Sequence, residues 1–176
     1  MTTNESPARR SQTEERRDAF LQLIGAKPVV MGILNVTPDS FSDGGRFQSL
    51  DSALAQARKL VADGADIIDI GAESTRPGHT PVPLDEEWRR LEPVLAPLLA
   101  EIDAPFSIDT YKAEIARRAV RLGVGVVNDV WGLQKDPAMA DVVAKSGAAV
   151  VIMHNRDSIE PDLTLKPICA ISLIAR

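Results

Sequence analysis

An α/β fold of repeated strand–helix units is predicted by three features of this 176-residue chain. Short apolar runs recur at Val29–Leu34, Asp66–Ile70, Phe106–Ile108, Val124–Val127 and Ala148–Met153. Helical stretches near 51–63, 85–101, 111–122 and 137–146 lie between them, so five strands alternate with four helices. Each apolar run gives way to polar residues at its C-terminal end. Short strands linked by helices imply parallel pairing with right-handed crossovers, hence a barrel or an open doubly wound sheet. No strand is followed by a GxGxxG nucleotide fingerprint, and barrel chemistry sits on the loops after the strands, where the polar residues fall. The barrel is the expected form.

The elements follow in order. Residues 1–10 read as a disordered tail. Ser11 and Glu14 then stand at capping-box spacing ahead of Phe20, Leu21, Leu23 and Ile24, so residues 1–28 make a tail and a short leading helix. The first strand runs into "GILNVTPDSFSDGG", a stretch that turns from apolar to polar and glycine-rich and suits a mobile lid. Helix 51–63 places Leu54, Ala57, Leu60 and Val61 on one face, and Gly64 supplies a left-handed stop. Gly123 and Gly147 stand at the ends of later helices in the same way, and Asp136 with Pro137 has the chemistry of a helix start.

Composition removes several classes of function. With 25 acidic against 20 basic residues there is no broad positive field for a nucleic-acid backbone. The N-terminal residues lack the apolar core of a signal peptide and no run of about 18 apolar residues occurs, so neither export nor a membrane span is expected. Cys169 is the single cysteine, which rules out an intrachain disulfide and fits a reducing cytoplasm.

The strand ends carry the candidate chemistry: Asn35, then Glu73 to Gly78, then Asp109 and Thr110, then Asn128 and Asp129, then His154 and Asn155. Each also has a plain structural reading. Asp109 or Thr110 suits the cap of the next helix, Asn128 a turn, and Asn35 a partner for loose backbone donors. His154 lacks metal-partner spacing and is left outside the site. Arg76, within Ser-Thr-Arg-Pro-Gly, has a guanidinium able to grip an anion at two points; a solvated surface arginine is the alternative. Phe41 sits in a polar loop, where an aromatic either folds back or covers a ligand.

At these residues the chain resembles dihydropteroate synthase, through "GILNVTPDSFSDGG", "ADIIDIGAESTRPG", "FSIDTYKAEIA" and "VVNDVWG". The resemblance runs from about Val29 to about Leu163, so residues 29–163 are expected to form a partial pterin-binding domain. It implies a (β/α)8 TIM barrel, here with about five strands, and the joining of p-aminobenzoate to dihydropterin hydroxymethyl pyrophosphate in folate biosynthesis. Asp109 and Asn128 match pterin-recognising positions, with Val130 and Met153 as apolar walls. Asn35 matches the residue that meets a magnesium–pyrophosphate group, with Arg76 near the same anion. Thr37, Asp39, Phe41, Ser42 and Asp43 match the first-loop lid. Phe41, Thr75 and Pro77 match the wall of the p-aminobenzoate pocket, where sulfonamides compete. Asp109, Arg76 and Asn35 are the implied catalytic set, magnesium the implied cofactor, and a homodimer the usual assembly of the family.

The chain departs from that pattern after His154, where 22 residues remain and the segments following the family's strands six, seven and eight are not found. Residues 164–176 read as an aberrant tail, "TLKPICAISLIAR" lacking a polar helical face; a truncated or frame-shifted member is expected, with a divergent terminal helix as the alternative. Two functional readings follow: a dihydropteroate synthase, or a pterin-binding fragment without turnover. A pterin-dependent methyltransferase module would share the barrel and lack the first two loops.

Overall fold

A computed structural model describes residues 11–24, 26–37, 46–74 and 80–153, and the backbone of 172–174; the side chains of 46–49 are not described. Helix α1 (Gln12–Leu23) is followed by β1 (Met31–Asn35), α2 (Arg46–Ala62), β2 (Ile67–Gly71), α3 (Leu84–Glu101), β3 (Phe106–Asp109), α4 (Ala113–Arg121), β4 (Val126–Asp129), α5 (Met139–Ser146), β5 (Ala149–Ile152) and β6 (Ser172–Ile174). Strands one to five pair in sequence order, all parallel, as the strand–helix repetition predicts.

Because side chains alternate across a strand, the register sorts residues onto two faces. Leu34, Ile68, Ile70, Ile108, Val127 and Val150 point to the helices and join the main core with Ala53, Leu54 and Ala57 of α2 and Leu91, Leu95 and Leu98 of α3. Val61, expected on the buried face of α2, is 37% exposed, and fully buried Ala53 lies on the packed stripe instead. The opposite face carries a smaller cluster, Ile67, Val126, Ala149 and Val151, on which Phe20 of α1 packs. Ile33, on this same face of β1, is 63% exposed.

Helix α1 has the expected capping box, Ser11 Oγ accepting from the Glu14 amide and Glu14 Oε2 accepting from the Ser11 amide. It is fastened to backbone carbonyls at the ends of other helices. Thr13 Oγ1 donates to Val120 O at 2.8 Å, Arg16 to Gly123 O at 2.9 Å and Leu99 O at 2.7 Å, and Arg17 to Gly147 O at 2.8 Å. These carbonyls stand at or just past the C-terminal ends of helices, where cations suit the negative end of the helix dipole.

Helix α5 starts at Met139, two residues past Pro137, and Asp136 serves two helices at once. Its Oδ1 accepts from the Ala138 amide at 3.0 Å and its Oδ2 from the Ala113 amide, at the start of α4, at 2.8 Å. The tail departs from expectation. Residues 172–174 form β6, antiparallel to β5, with Val150 opposite Ile174 and Ile152 opposite Ser172. An edge strand offers a row of unpaired backbone groups, and an antiparallel segment can add to it without a crossover. Residues 1–10, expected as a tail, lie outside the described residues. Among the described residues no helix is long and apolar enough to cross a membrane.

Candidate active site

The register sets the site. Asn35 pairs with Gly71, Gly71 with Asp109, Asp109 with Asn128, and Asn128 with Val151, so these residues form one row at the C-terminal ends of five strands. All lie on the face away from the helices. One step earlier, Ile33, Asp69, Ser107 and Val126 form the row beneath. Asp109 and Asn128 are thus adjacent on neighbouring strands.

Asp109 is neither a helix cap nor a salt-bridge partner among the described residues. Among the described residues its Oδ1 is buried with no hydrogen-bond partner. Such an atom costs free energy in an apolar interior, and a ligand donor is the natural remedy. Burial, followed by the charges of Asp69, Glu87, Asp129 and Glu73, pushes the Asp109 carboxyl up to about 7. Gly71 makes room for it: a Cβ there would sit 3.3 Å from Asp109 Cβ and 3.4 Å from Oδ2.

Asn128 donates through Nδ2 to Asp69 Oδ2 at 3.0 Å, and Ser107 Oγ donates to Asp69 Oδ1 at 2.6 Å. Asp69 is 5% exposed, and desolvation raises its carboxyl against the two hydrogen bonds that lower it. Behind the row runs a second polar cluster. Lys112 bridges Glu73 and Glu87, Thr110 Oγ1 donates to Glu87 at 2.9 Å, and the Tyr111 hydroxyl donates to Glu73 at 3.1 Å. This ties the end of β2 to α3 and to the loop after β3. Thr110 also accepts from the Lys112 amide at 3.1 Å, closing a turn before α4, whose N-cap, Lys112, makes no side-chain cap.

Asn35 is exposed at the end of β1 and Thr37 half-buried just after it. Val130 and Met153 are half-buried beyond the ends of β4 and β5. Those two loops are held together: Asp129 accepts from the amides of Trp131 and Leu133 at 2.9 Å and, through its carbonyl, from Met153 N at 3.3 Å. Gly132 has φ +62° and lies so close that a Cβ would meet the Met153 carbonyl oxygen at 2.9 Å. Asp39, Phe41, Ser42, Asp43, Thr75, Arg76 and Pro77 lie outside the described residues.

Sequence reasoning passed over Asp69, Ser107, Glu87 and Lys112. Asp69 had a readable signal, since it is the one acid within the apolar run "IIDIG". Glu87 had none: it lies in the first turn of α3, where an acid usually only answers the helix dipole.

The sequence profile of the family described as "Pterin binding enzyme" matches residues 31–166. The chain belongs to the pterin-binding enzyme family. Within that family it is 55% identical over 130 residues to the dihydropteroate synthase of Bacillus subtilis (strain 168), an alignment covering 74% of this chain and 46% of the relative. The structure of dihydropteroate synthase from Clostridium difficile in the presence of pteroic acid superposes with a TM-score of 0.75 at 58% identity, covering 79% of this chain and 53% of that one. That of Xanthomonas albilineans with 4-aminobenzoic acid gives 0.70 at 49% identity, covering 77% and 50%. The chain spans about half the length of the relatives it matches. As a member of that family it has the fold class expected of it, a TIM-barrel-type sheet of which five parallel strands lie among the described residues.

Proposed function

We propose that this chain works in the dihydropteroate synthase reaction, in which p-aminobenzoate displaces pyrophosphate from 6-hydroxymethyl-7,8-dihydropterin pyrophosphate to give 7,8-dihydropteroate. The observation that carries the reading is the buried, partnerless Asp109 Oδ1 beside Asn128 at the strand ends. A pterin ring presents adjacent N–H donors along one edge. A carboxylate and an amide in neighbouring register positions match such an edge and disfavour rings that leave them unpaired. Val130 and Met153 serve as the apolar walls of the same seat.

Chemically, the C–O bond between the pterin methylene and pyrophosphate breaks, the electron pair leaves with pyrophosphate, and the arylamine nitrogen forms the new C–N bond and loses a proton. Positive charge gathers on the pterin as the leaving group departs. The Asp109 carboxylate, once ionised by the ring's donors, stabilises that charge. Arg76 and Asn35 form the seat of the departing anion. The first loop, Thr37 with Asp39, Phe41, Ser42 and Asp43, closes over it, and Phe41, Thr75 and Pro77 wall the arylamine pocket that sulfonamides would share.

Magnesium fits this donor set in one manner. Among the described residues no cluster of three His, Cys, Asp or Glu side chains stands ready for a metal, whereas Asn35 offers an exposed hard oxygen at a strand end. That suits an ion which arrives with pyrophosphate and keeps most of its water. When bound it supplies charge neutralisation for the leaving group. A cytoplasmic location and a homodimer belong to the same proposal, the first resting on the single cysteine.

The test is a fluorescence titration of the chain with 6-hydroxymethylpterin, followed by an assay for pyrophosphate and dihydropteroate with both substrates and magnesium. Asp109→Asn is expected to weaken pterin binding about tenfold to a hundredfold, the worth of one charged hydrogen bond. Undiminished binding by that variant would overturn the seat. Binding without turnover would leave a pterin-binding module in place of a synthase.

A further inference from the structure

Asp69 is a carboxylate in the middle of a buried parallel strand, among the described residues without a cation to pair with. Its neighbours on the helix side, Ile68 and Ile70, are fully buried, and it shares its own row with Ser107. A buried acid is retained at a cost, so what it does for its partners matters. Both partners donate to it, the Ser107 hydroxyl at 2.6 Å and the Asn128 amide nitrogen at 3.0 Å. With both of its oxygens already accepting, Asp69 has no proton to offer either partner. Turning the Asn128 amide over would set its carbonyl oxygen against Asp69 Oδ2, two acceptors with no proton between them.

We infer that Asp69 is a positioning residue that locks the Asn128 amide in one orientation, so that its carbonyl oxygen, next to Asp109, is the atom offered to the ligand. Asn128 by itself is ambivalent, because oxygen and nitrogen occupy similar space and present opposite hydrogen-bonding character. With Asp69 beneath it, the ambivalence is removed before any ligand arrives. The ring position facing Asn128 Oδ1 must then be an N–H. Ser107, fully buried, completes the arrangement by holding the other oxygen of Asp69. Preorganisation of this sort saves the cost of orienting the amide on binding. The identity of the ring as a pterin rests on the function proposed above; the amide lock does not.

Two measurements on the full chain separate these. The first is the side-chain amide signal of Asn128 in 15N-labelled protein, without ligand. The wild type should show two inequivalent protons, one of them protected from exchange, and Asp69→Ala, which removes the acceptor, should lose that protection, with Asp69→Leu as a second variant of nearer size if the first folds poorly. An Asn128 signal unchanged by both substitutions would overturn the lock. The second is the affinity ratio for 6-hydroxymethyl-7,8-dihydropterin over its oxidised form, which exchange a ring N–H for a bare acceptor nitrogen. Asp69→Ala should shrink that ratio about tenfold, whereas general loosening would weaken both ligands alike. An unchanged ratio overturns the role in selectivity. A locked amide in a wild-type chain that binds neither ring would sink the pterin reading and uphold the lock.

Discussion

Asp109 holds the most consequential compromise at the scale of single residues. Its carboxyl, at about 7, titrates far above the ordinary 3.8, chiefly through burial. Between those values the folded chain binds a proton that the unfolded chain has released, so stability is full at low pH and falls as pH rises from about 4 to about 7. Asp109→Asn cannot lose a proton there. The variant should therefore match the wild type near pH 4 and exceed it near pH 8 by an amount on the order of a few kcal/mol at most. Urea unfolding at both pH values checks this, and a variant less stable at pH 8 would contradict it. On the proposed function, the same residue would trade stability for binding. Asp109 and Asn128 were legible as candidate site residues because polar side chains at the ends of buried strands ask for a reason. Their support was not, because Asp69 meets Asn128 across an intervening strand, a contact 59 residues apart in sequence.

At the scale of elements, the strand–helix alternation was readable, the strands to within about two residues, because period and punctuation agree: a short apolar run, then a 3.6-residue stripe, closed by a glycine after three of the four helices, although α2 starts at Arg46 and was read as starting five residues later. The leading helix was legible only in part. Its capping box announced where it starts, yet nothing local shows that it lies beneath the sheet and gathers helix-end carbonyls with Thr13, Arg16 and Arg17. That placement depends on Gly125. A Cβ there would stand 2.6 Å from Arg17 N and 2.8 Å from Arg16 C, both backbone atoms that cannot rotate aside. Gly125→Ala should lift α1 from the sheet, uncovering the Phe20 cluster. The expected result is a loss of about 1–3 kcal/mol, the usual cost of overpacking. Proteolytic cleavage after Arg16 or Arg17 should become faster, and an unchanged cleavage rate would show that α1 docks more loosely than the distances say. The antiparallel β6 escaped sequence reasoning for a related reason: which edge an apolar segment joins is decided by what backbone stands unpaired, not by the segment itself.

Across the whole molecule, the two faces of the sheet have been given different work. The helix side is packed with aliphatic residues and carries the stability. The other side holds the small Phe20 cluster, the carboxylates Asp69 and Asp109, and the exposed Ile33 at the β1 edge. This division predicts unequal responses to the same substitution. Ile68 is fully buried among the helices, so Ile68→Ala removes packed methylenes and leaves a cavity, at about 2–5 kcal/mol. Ile33, two-thirds exposed on the other face, gives up little contact, and Ile33→Ala should stay within about 0.5 kcal/mol. Pterin affinity should hold in both variants under conditions where each is folded, since neither residue belongs to the Asp109–Asn128 row. Denaturant midpoints at fixed pH measure the difference. A large loss at Ile33 would mean that its face is covered in solution, and the stability of the chain would then depend on whatever covers it.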